Sequence, residues 1–144
     1  MNQIILRNAL PSDSPELAEL SCQLGYPSNE VETLERLKSL SEEDGNLVLV
    51  AELEGKVVGW IHAFIAYRLE SPPFVEIGGL VVNANRRGAG IGGKLVTAVA
   101  HWTKNRGFTQ LKVRSNVVRE DTHHFYLKLG FTKSKSQIVF SLPI

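Results

Sequence analysis

At 144 residues, with 43% apolar and 22% charged residues, the chain has the length and balance of one soluble globular domain with a substantial core. A single cysteine, Cys22, excludes an internal disulfide framework, and no apolar run approaches the ~20 residues that span a bilayer. The net charge of +1 conceals a segregation: between Ile77 and Arg119 there is no acid, while Arg86, Arg87, Lys94, Lys104, Arg106, Lys112, Arg114 and Arg119 all fall there, as suits a surface for a nucleotide cofactor or a nucleic acid.

Taken in chain order, QIILRN at 3–8 reads as a short strand. Ser12 or Asp13 is placed to cap a first helix with Leu17, Leu20 and Leu24 on one face, and Cys22 reads as a packing residue of that helix. Tyr26-Pro27-Ser28 ends it. Val31, Leu34, Leu37 and Leu40 then recur near helical spacing, and Asp44-Gly45 marks a turn. Leu47–Leu53 and Lys56–Tyr67 flank Glu54-Gly55 as a tight hairpin, and Pro72-Pro73 breaks the chain before a strand over Phe74–Val82. Ile91, Leu95, Ala98, Val99 and Trp102 predict a helix stopped by Gly107. A strand follows over Phe108–Arg114, then a short helix over Asp121–Leu129 stopped by Gly130. Strands over Phe131–Lys133 and Gln137–Leu142 close the chain. The start, MNQIILRNALPSD, lacks a basic segment followed by a long apolar one, so no signal peptide is expected and the chain reads as cytoplasmic.

The most informative segment is Arg86-Arg87-Gly88-Ala89-Gly90-Ile91-Gly92-Gly93-Lys94, between an apolar strand and a helix. Glycines let the backbone approach a ligand closely, and the free amides at a helix start favour an anion such as pyrophosphate. Gly88-x-Gly90-x-x-Gly93 matches the dinucleotide fingerprint, but the acid expected about 20 residues later to hold the ribose is missing. The glycines also come too late in the chain for a doubly wound sheet. Gly88-x-x-x-x-Gly93-Lys94 nearly matches a P-loop, but Leu95 stands where magnesium binding needs a hydroxyl.

Arg87-x-x-Gly90-x-Gly92 fits a third pattern without repair. It resembles the Arg/Gln-x-x-Gly-x-Gly/Ala motif of the GNAT family of N-acetyltransferases, at the same place between the fourth strand and the third helix. Phe125-Tyr126-Leu127-Lys128-Leu129-Gly130-Phe131 is similar to the family's apolar-Tyr-x-x-x-Gly-Phe segment, and the element order matches along essentially the whole chain. The resemblance implies an α/β (α+β) fold: one domain over 1–144, with a mixed, mostly antiparallel central sheet flanked by helices.

By that resemblance the backbone from Arg87 through Gly88, Ala89, Gly90, Ile91 and Gly92 to Gly93 holds the pyrophosphate of acetyl-CoA, and Leu80, Val81 and Val82 pair with its pantetheine arm. Gly78-Gly79 mark a bulge, as paired glycines in a strand often do, where the family parts its fourth and fifth strands. Tyr126 is the implied acid for the departing thiolate, and Asn116 is an implied contact to the pantetheine arm or adenylate. Glu76, an acid in an apolar strand, is the first candidate base for the acceptor amine, and His62 on the preceding strand is the second. The adjacent His123 and His124 face different ways on a helix and do not make a metal site; the chemistry implied needs no metal. Ala84, Thr122 and Arg119 depart from the Pro, Ala and Asn common in the family; these departures bear on the adenylate side.

The expected reaction is direct attack by a primary amine of a small molecule or peptide on the bound thioester. Glu30, Glu32, Glu35, Glu42, Glu43 and Asp44 give the acceptor side an acidic character that suits a cationic amine of the aminoglycoside or polyamine type, and a solvated helix face explains them as well. A homodimer fits the family. No nucleic-acid or membrane partner is expected. Two other classes stay open: an acetyl-CoA-binding sensor without turnover, and a nucleic-acid-binding protein using the basic stretch, which lacks a recognition-helix or stacking-platform signature.

Overall fold

A computed structural model describes residues 3–144. The elements are β1 (Ile4–Asn8), α1 (Ser14–Leu24), α2 (Glu30–Glu42), β2 (Asn46–Leu53), β3 (Lys56–Arg68), β4 (Ser71–Val82), α3 (Ile91–Asn105), β5 (Leu111–Val113) and α4 (Glu120–Lys128). The five strands form one sheet in the order β1-β2-β3-β4-β5. The first three pairings are antiparallel and β4–β5 is parallel. The described chain falls into two compact units, a larger one ending at Val113 and a smaller one over Arg114–Ile144. No helix among the described residues is long and apolar enough to cross a membrane.

The sheet is covered on both faces in the larger unit. Leu17 and Leu20 of α1 and Leu37 of α2 pack with Val50, Val57 and Val81 on one face, with Val48 and Trp60 at its margin. On the other face α3 buries Ile91, Leu95, Val96 and Val99, and Gly59 lets the helix come close: a Cβ there would stand 3.4 Å from both Ile91 and Leu95 side-chain carbons. β2 and β3 turn through Glu54 (φ 52°) and Gly55 (φ 77°), the left-handed pair of a two-residue hairpin.

Asp13 ties the chain before α1 to the sheet. Its side chain does not cap α1. Its two oxygens instead accept both Arg7 guanidinium nitrogens, at 2.8 and 2.9 Å, and the Leu10 N–H at 2.7 Å. The bonds from Arg7 hold this buried carboxyl below the usual carboxylate range, against the opposing effect of burial. Asp13→Ala is therefore expected to cost about 2–4 kcal/mol in urea denaturation at pH 7. A folded pKa below the unfolded value means the contribution is present above about pH 4 and fades as pH falls through the lower folded value. The gap between variant and parent should thus narrow in acid.

Four further sequence expectations are corrected. Phe131–Lys133 and Gln137–Leu142 form no strands, and Ile138, Val139, Phe140 and Leu142 are exposed. Alternation supplies a strand with two faces but not with an edge to pair, and the Arg114–Ile144 unit contains no strand. Pro72-Pro73 does not break the chain: the turn is at Leu69–Glu70, and β4 starts at Ser71 opposite Arg68. Pairing with β5 begins only at Val75, so the missing proline N–H groups cost no bond on that edge. The fifth strand is limited to Leu111–Val113, because the Phe108 N–H closes the end of α3 on the Thr103 carbonyl at 3.1 Å. Cys22 is exposed, its Sγ 3.4 Å from the Ser28 carbonyl oxygen, because the buried stripe of α1 runs through Leu17, Ala18 and Leu20.

Candidate active site

The centre of β4 contains one residue more than its partner. His62 pairs with Gly79, but Ala63 pairs with Ile77, so Gly78 is a bulge. β5 pairs only with Val75, Glu76 and Ile77. Past the bulge, β4 runs on through Val82 with β3 on one edge and, among the described residues, no paired strand on the other. The two strands thus part at the glycines, where the sequence placed them. The main chain of Leu80–Val82 lies on that freed edge, and only Val81 among the three has a fully buried side chain.

The glycines also admit rings. A Cβ on Gly79 would stand 2.9 Å from two atoms of the Trp60 indole, and one on Gly78 would stand 3.0 Å from His62 Nδ1 and 3.1 Å from Phe64 Cε1. Trp60, His62 and Phe64 share the face of β3 that α1 and α2 cover, and Glu76, opposite Phe64, shares it too. The His62 and Phe64 rings are 5.6 Å apart. Glu76 is half-buried and also opposite Lys112 of β5, whose ammonium lies 4.3 Å from the Phe74 ring centre. His62 Nε2 is 3.0 Å from Asn46 Oδ1, and burial holds the imidazole below its ordinary pKa.

β4 leads into the glycine loop. Asn83 donates its N–H to the Val58 carbonyl at 2.8 Å and accepts the Asn85 N–H on its side chain at 3.0 Å, shaping a 3-10 turn over Ala84–Arg86. Arg87, Gly88, Ala89 and Gly90 follow, all exposed. Gly88 and Gly90 have φ of +86° and +78°, left-handed values that side chains resist, and Gly90 is the cap residue of α3. Gly90 has no side chain with which to cap the helix. The first-turn amides of Ile91, Gly92 and Gly93 are the donors that a helix start leaves without an intrahelical partner, here on a 15-residue helix with no acid in its first turn. Ile91 presents only its amide, since its side chain is core.

Within the smaller unit, Tyr126 is the buried residue of α4, with Phe125 and Phe131 edge-on to its ring at 5.0 and 5.3 Å. Burial pushes its phenol up to about 12, while the charge of Arg119 pulls the other way. The phenol is thus protonated throughout the neutral range. Asn116 has local work: its Oδ1 accepts the Val118 N–H at 3.1 Å, and its carbonyl lies 2.8 Å from His123 Nε2. The acids of α2 and the following turn are exposed, Glu32 pairing with Arg36 and Asp44 with Arg106 at 3.4 Å each. The sequence did not reveal the Asn46–His62 bond, which joins residues 16 positions apart and depends on the β2–β3 register.

Comparison with known proteins agrees with this architecture. The sequence profile described as "Acetyltransferase (GNAT) family" matches residues 14–131. An aminoglycoside N(6')-acetyltransferase type 1 of Stenotrophomonas maltophilia is 28% identical over 144 residues, covering 96% of this chain and 93% of the relative. An aminoalkylphosphonate N-acetyltransferase of Salmonella typhimurium (strain LT2) is 28% identical over 131 residues, covering 90% and 85%. Among solved structures, the aminoglycoside N-acetyltransferase AAC(6')-Iy in complex with CoA superposes with a TM-score of 0.88 at 20% identity, covering 100% of this chain and 97% of that one. A profile match over most of the chain, on a sheet whose fourth and fifth strands part at a bulge, places the chain in the acetyltransferase (GNAT) family, as an N-acetyltransferase that uses acetyl-CoA as its cosubstrate.

Proposed function

We propose that the protein transfers the acetyl group of acetyl-CoA to a primary amine of a small cationic molecule, by direct attack in a ternary complex. The observation that carries the reading is the parting of β4 and β5 at Gly78, directly before a loop that ends in the free amides of α3. The loop Arg87–Gly93 takes the pyrophosphate, and the freed edge of β4 at Leu80–Val82 takes the amides of the pantetheine arm. A main-chain N–H of that edge polarises the thioester carbonyl. Tyr126 donates the proton to the departing sulfur, as its buried, protonated phenol allows. Asn116 is placed beside the coenzyme only through its family position. Its side-chain amide nitrogen is the end not bound to Val118. The profile match runs through both units, which supports reading 1–144 as one acetyltransferase domain.

The acceptor lies on the face that α1 and α2 cover. There Glu76 and His62 are the two groups able to receive the proton of an ammonium. The names of the relatives point to amines on polar small molecules, aminoglycosides and aminoalkylphosphonates. A panel of sisomicin, an aminoalkylphosphonate, spermidine and a lysine peptide, read by release of coenzyme A thiol, tests the reading. Acetyl-CoA-dependent thiol release with at least one small amine is expected. Micromolar acetyl-CoA binding with no turnover across the panel would instead favour a sensor.

A further inference from the structure

The His62 imidazole is held in one orientation by a partner that also decides where its proton sits. Asn46 turns its amide nitrogen toward the Glu43 carbonyl, at 3.5 Å, so its Oδ1 faces His62 Nε2 at 3.0 Å. An amide oxygen only accepts, so Nε2 must carry the hydrogen. In a neutral imidazole the lone pair is then on Nδ1. Nδ1 lies close over the bulge: a Cβ on Gly78 would stand 3.0 Å from it. Gly78 is exposed, and β5 has left β4 there. The nitrogen that carries the lone pair therefore lies beside the bulge residue, next to the position where β5 stops pairing with β4.

We infer that His62 Nδ1 receives the proton of the acceptor amine, and that Asn46 is a positioning residue that keeps this nitrogen unprotonated. The inference rests on the acetyltransfer reading and names the base for it. The acceptor's ammonium gives one proton to Nδ1. The freed nitrogen lone pair forms the C–N bond to the thioester carbonyl carbon, the C–S bond breaks, and sulfur leaves with the electron pair. The nitrogen's second proton balances the one that the thiolate takes up, and the imidazolium returns its proton to solvent. Glu76 lies on the same face, opposite Lys112, and supplies the negative charge that draws an ammonium there.

The surroundings of His62 keep it neutral. Val48 and Asn46 on β2, Trp60 and Phe64 on β3, and Gly78 and Gly79 on β4 are uncharged. Leu17, Leu20, Leu24 and Leu37, packed on this face from α1 and α2, are apolar. Glu76 and, across from it, Lys112 are charged groups of this face, as are Arg68 over the Phe74 ring and, farther along the sheet, Arg7 paired with Asp13 and Glu52. Burial alone moves the imidazole, and it moves it down, so the base form is present at neutral pH.

The test combines a tautomer measurement with pH profiles. Nitrogen-15 spectra of the free protein at pH 7 should show His62 protonated on Nε2 and bare on Nδ1. The opposite tautomer would overturn the inference whatever the enzyme acetylates. With the best amine of the panel, His62→Gln should lower kcat/KM about 100-fold and remove the acidic limb of its pH profile. Asn46→Asp keeps an acceptor for Nε2 but adds a charge that favours imidazolium, so the limb should move up by about one pH unit. A purely structural role for Asn46 predicts no such movement. Acetyl-CoA affinity by calorimetry should match the parent in both variants, which shows that they fold. A His62→Gln enzyme within about threefold of the parent, with the limb intact, overturns the assignment; loss of the limb in Glu76→Gln then moves the base to Glu76. If the parent itself binds no acetyl-CoA, the acetyltransfer reading has failed, and the role of His62 falls with it.

Discussion

Gly90→Asp combined with Gly92→Asp should weaken acetyl-CoA binding more than 100-fold, measured by calorimetry at low salt, while leaving the thermal midpoint close to that of the parent. The two effects separate because they have opposite electrostatic signs. Carboxylates at the start of α3 face the positive end of a 15-residue helix dipole, which favours them by roughly 0.3–1 kcal/mol each. In the proposed reading the same carboxylates stand where the pyrophosphate comes, and repulsion plus loss of the helix-start amides removes at least about 2.7 kcal/mol, which is 100-fold in Kd. Gly90 has φ of +78°, so any side chain there adds about 1–2 kcal/mol of backbone strain. Gly90→Ala carries that strain without the charge and finds open space for its Cβ, so it isolates the backbone effect. It should bind acetyl-CoA less than tenfold more weakly. Full-strength binding by the double aspartate variant would place the pyrophosphate elsewhere.

Tyr126→Phe should lower kcat about 100-fold, with the KM for acetyl-CoA changed less than about twofold, because a general acid acts in the transition state and not in binding. The phenol is pushed up to about 12 by burial, so the parent should show no loss of kcat from this group between pH 7 and 10. The same shift has a stability signature. A folded pKa near 12 against about 10 unfolded favours the neutral phenol in the folded state. That contribution is present below pH 10 and is lost as pH rises from 10 toward 12, by about 2–3 kcal/mol in all. The phenylalanine variant lacks an ionisable group and should lose less stability over that window. A kcat within threefold of the parent would remove Tyr126 from the proton path and leave it a packing residue between Phe125 and Phe131.

The local grammar of the chain was legible without coordinates. Glu54-Gly55 can adopt paired left-handed angles, and the turn they form starts β3 where expected. Ile91, Leu95 and Val99 repeat at helical spacing, and they are the buried stripe of α3. Gly107 and Gly130 have φ of +87° and +98° just past α3 and α4, as helix-ending glycines do. The glycine loop and the Gly78 bulge were legible for the same reason: each depends on the backbone freedom of residues adjacent in sequence.

Long-range partners were not legible. The alternation in Gln137–Leu142 marks a potential strand, but whether it pairs depends on an edge that the sequence does not show. Pro72-Pro73 reads as a break until the structure shows that β5 pairs with β4 only from Val75 onward, past the prolines. Cys22 reads as core until the buried face of α1 is known to run through Leu17, Ala18 and Leu20. By itself, then, the sequence determined where the backbone can turn, which helix faces are apolar and where a glycine-rich loop opens a helix, because those properties follow from φ/ψ freedom and periodicity within a few residues. Only the tertiary structure decided that Asn46 would meet His62, and that Trp60 and Phe64 would lie over two glycines. Those contacts exist because the β2–β3 and β3–β4 registers bring distant positions to one face of the sheet, and register is settled by burial across the whole sheet.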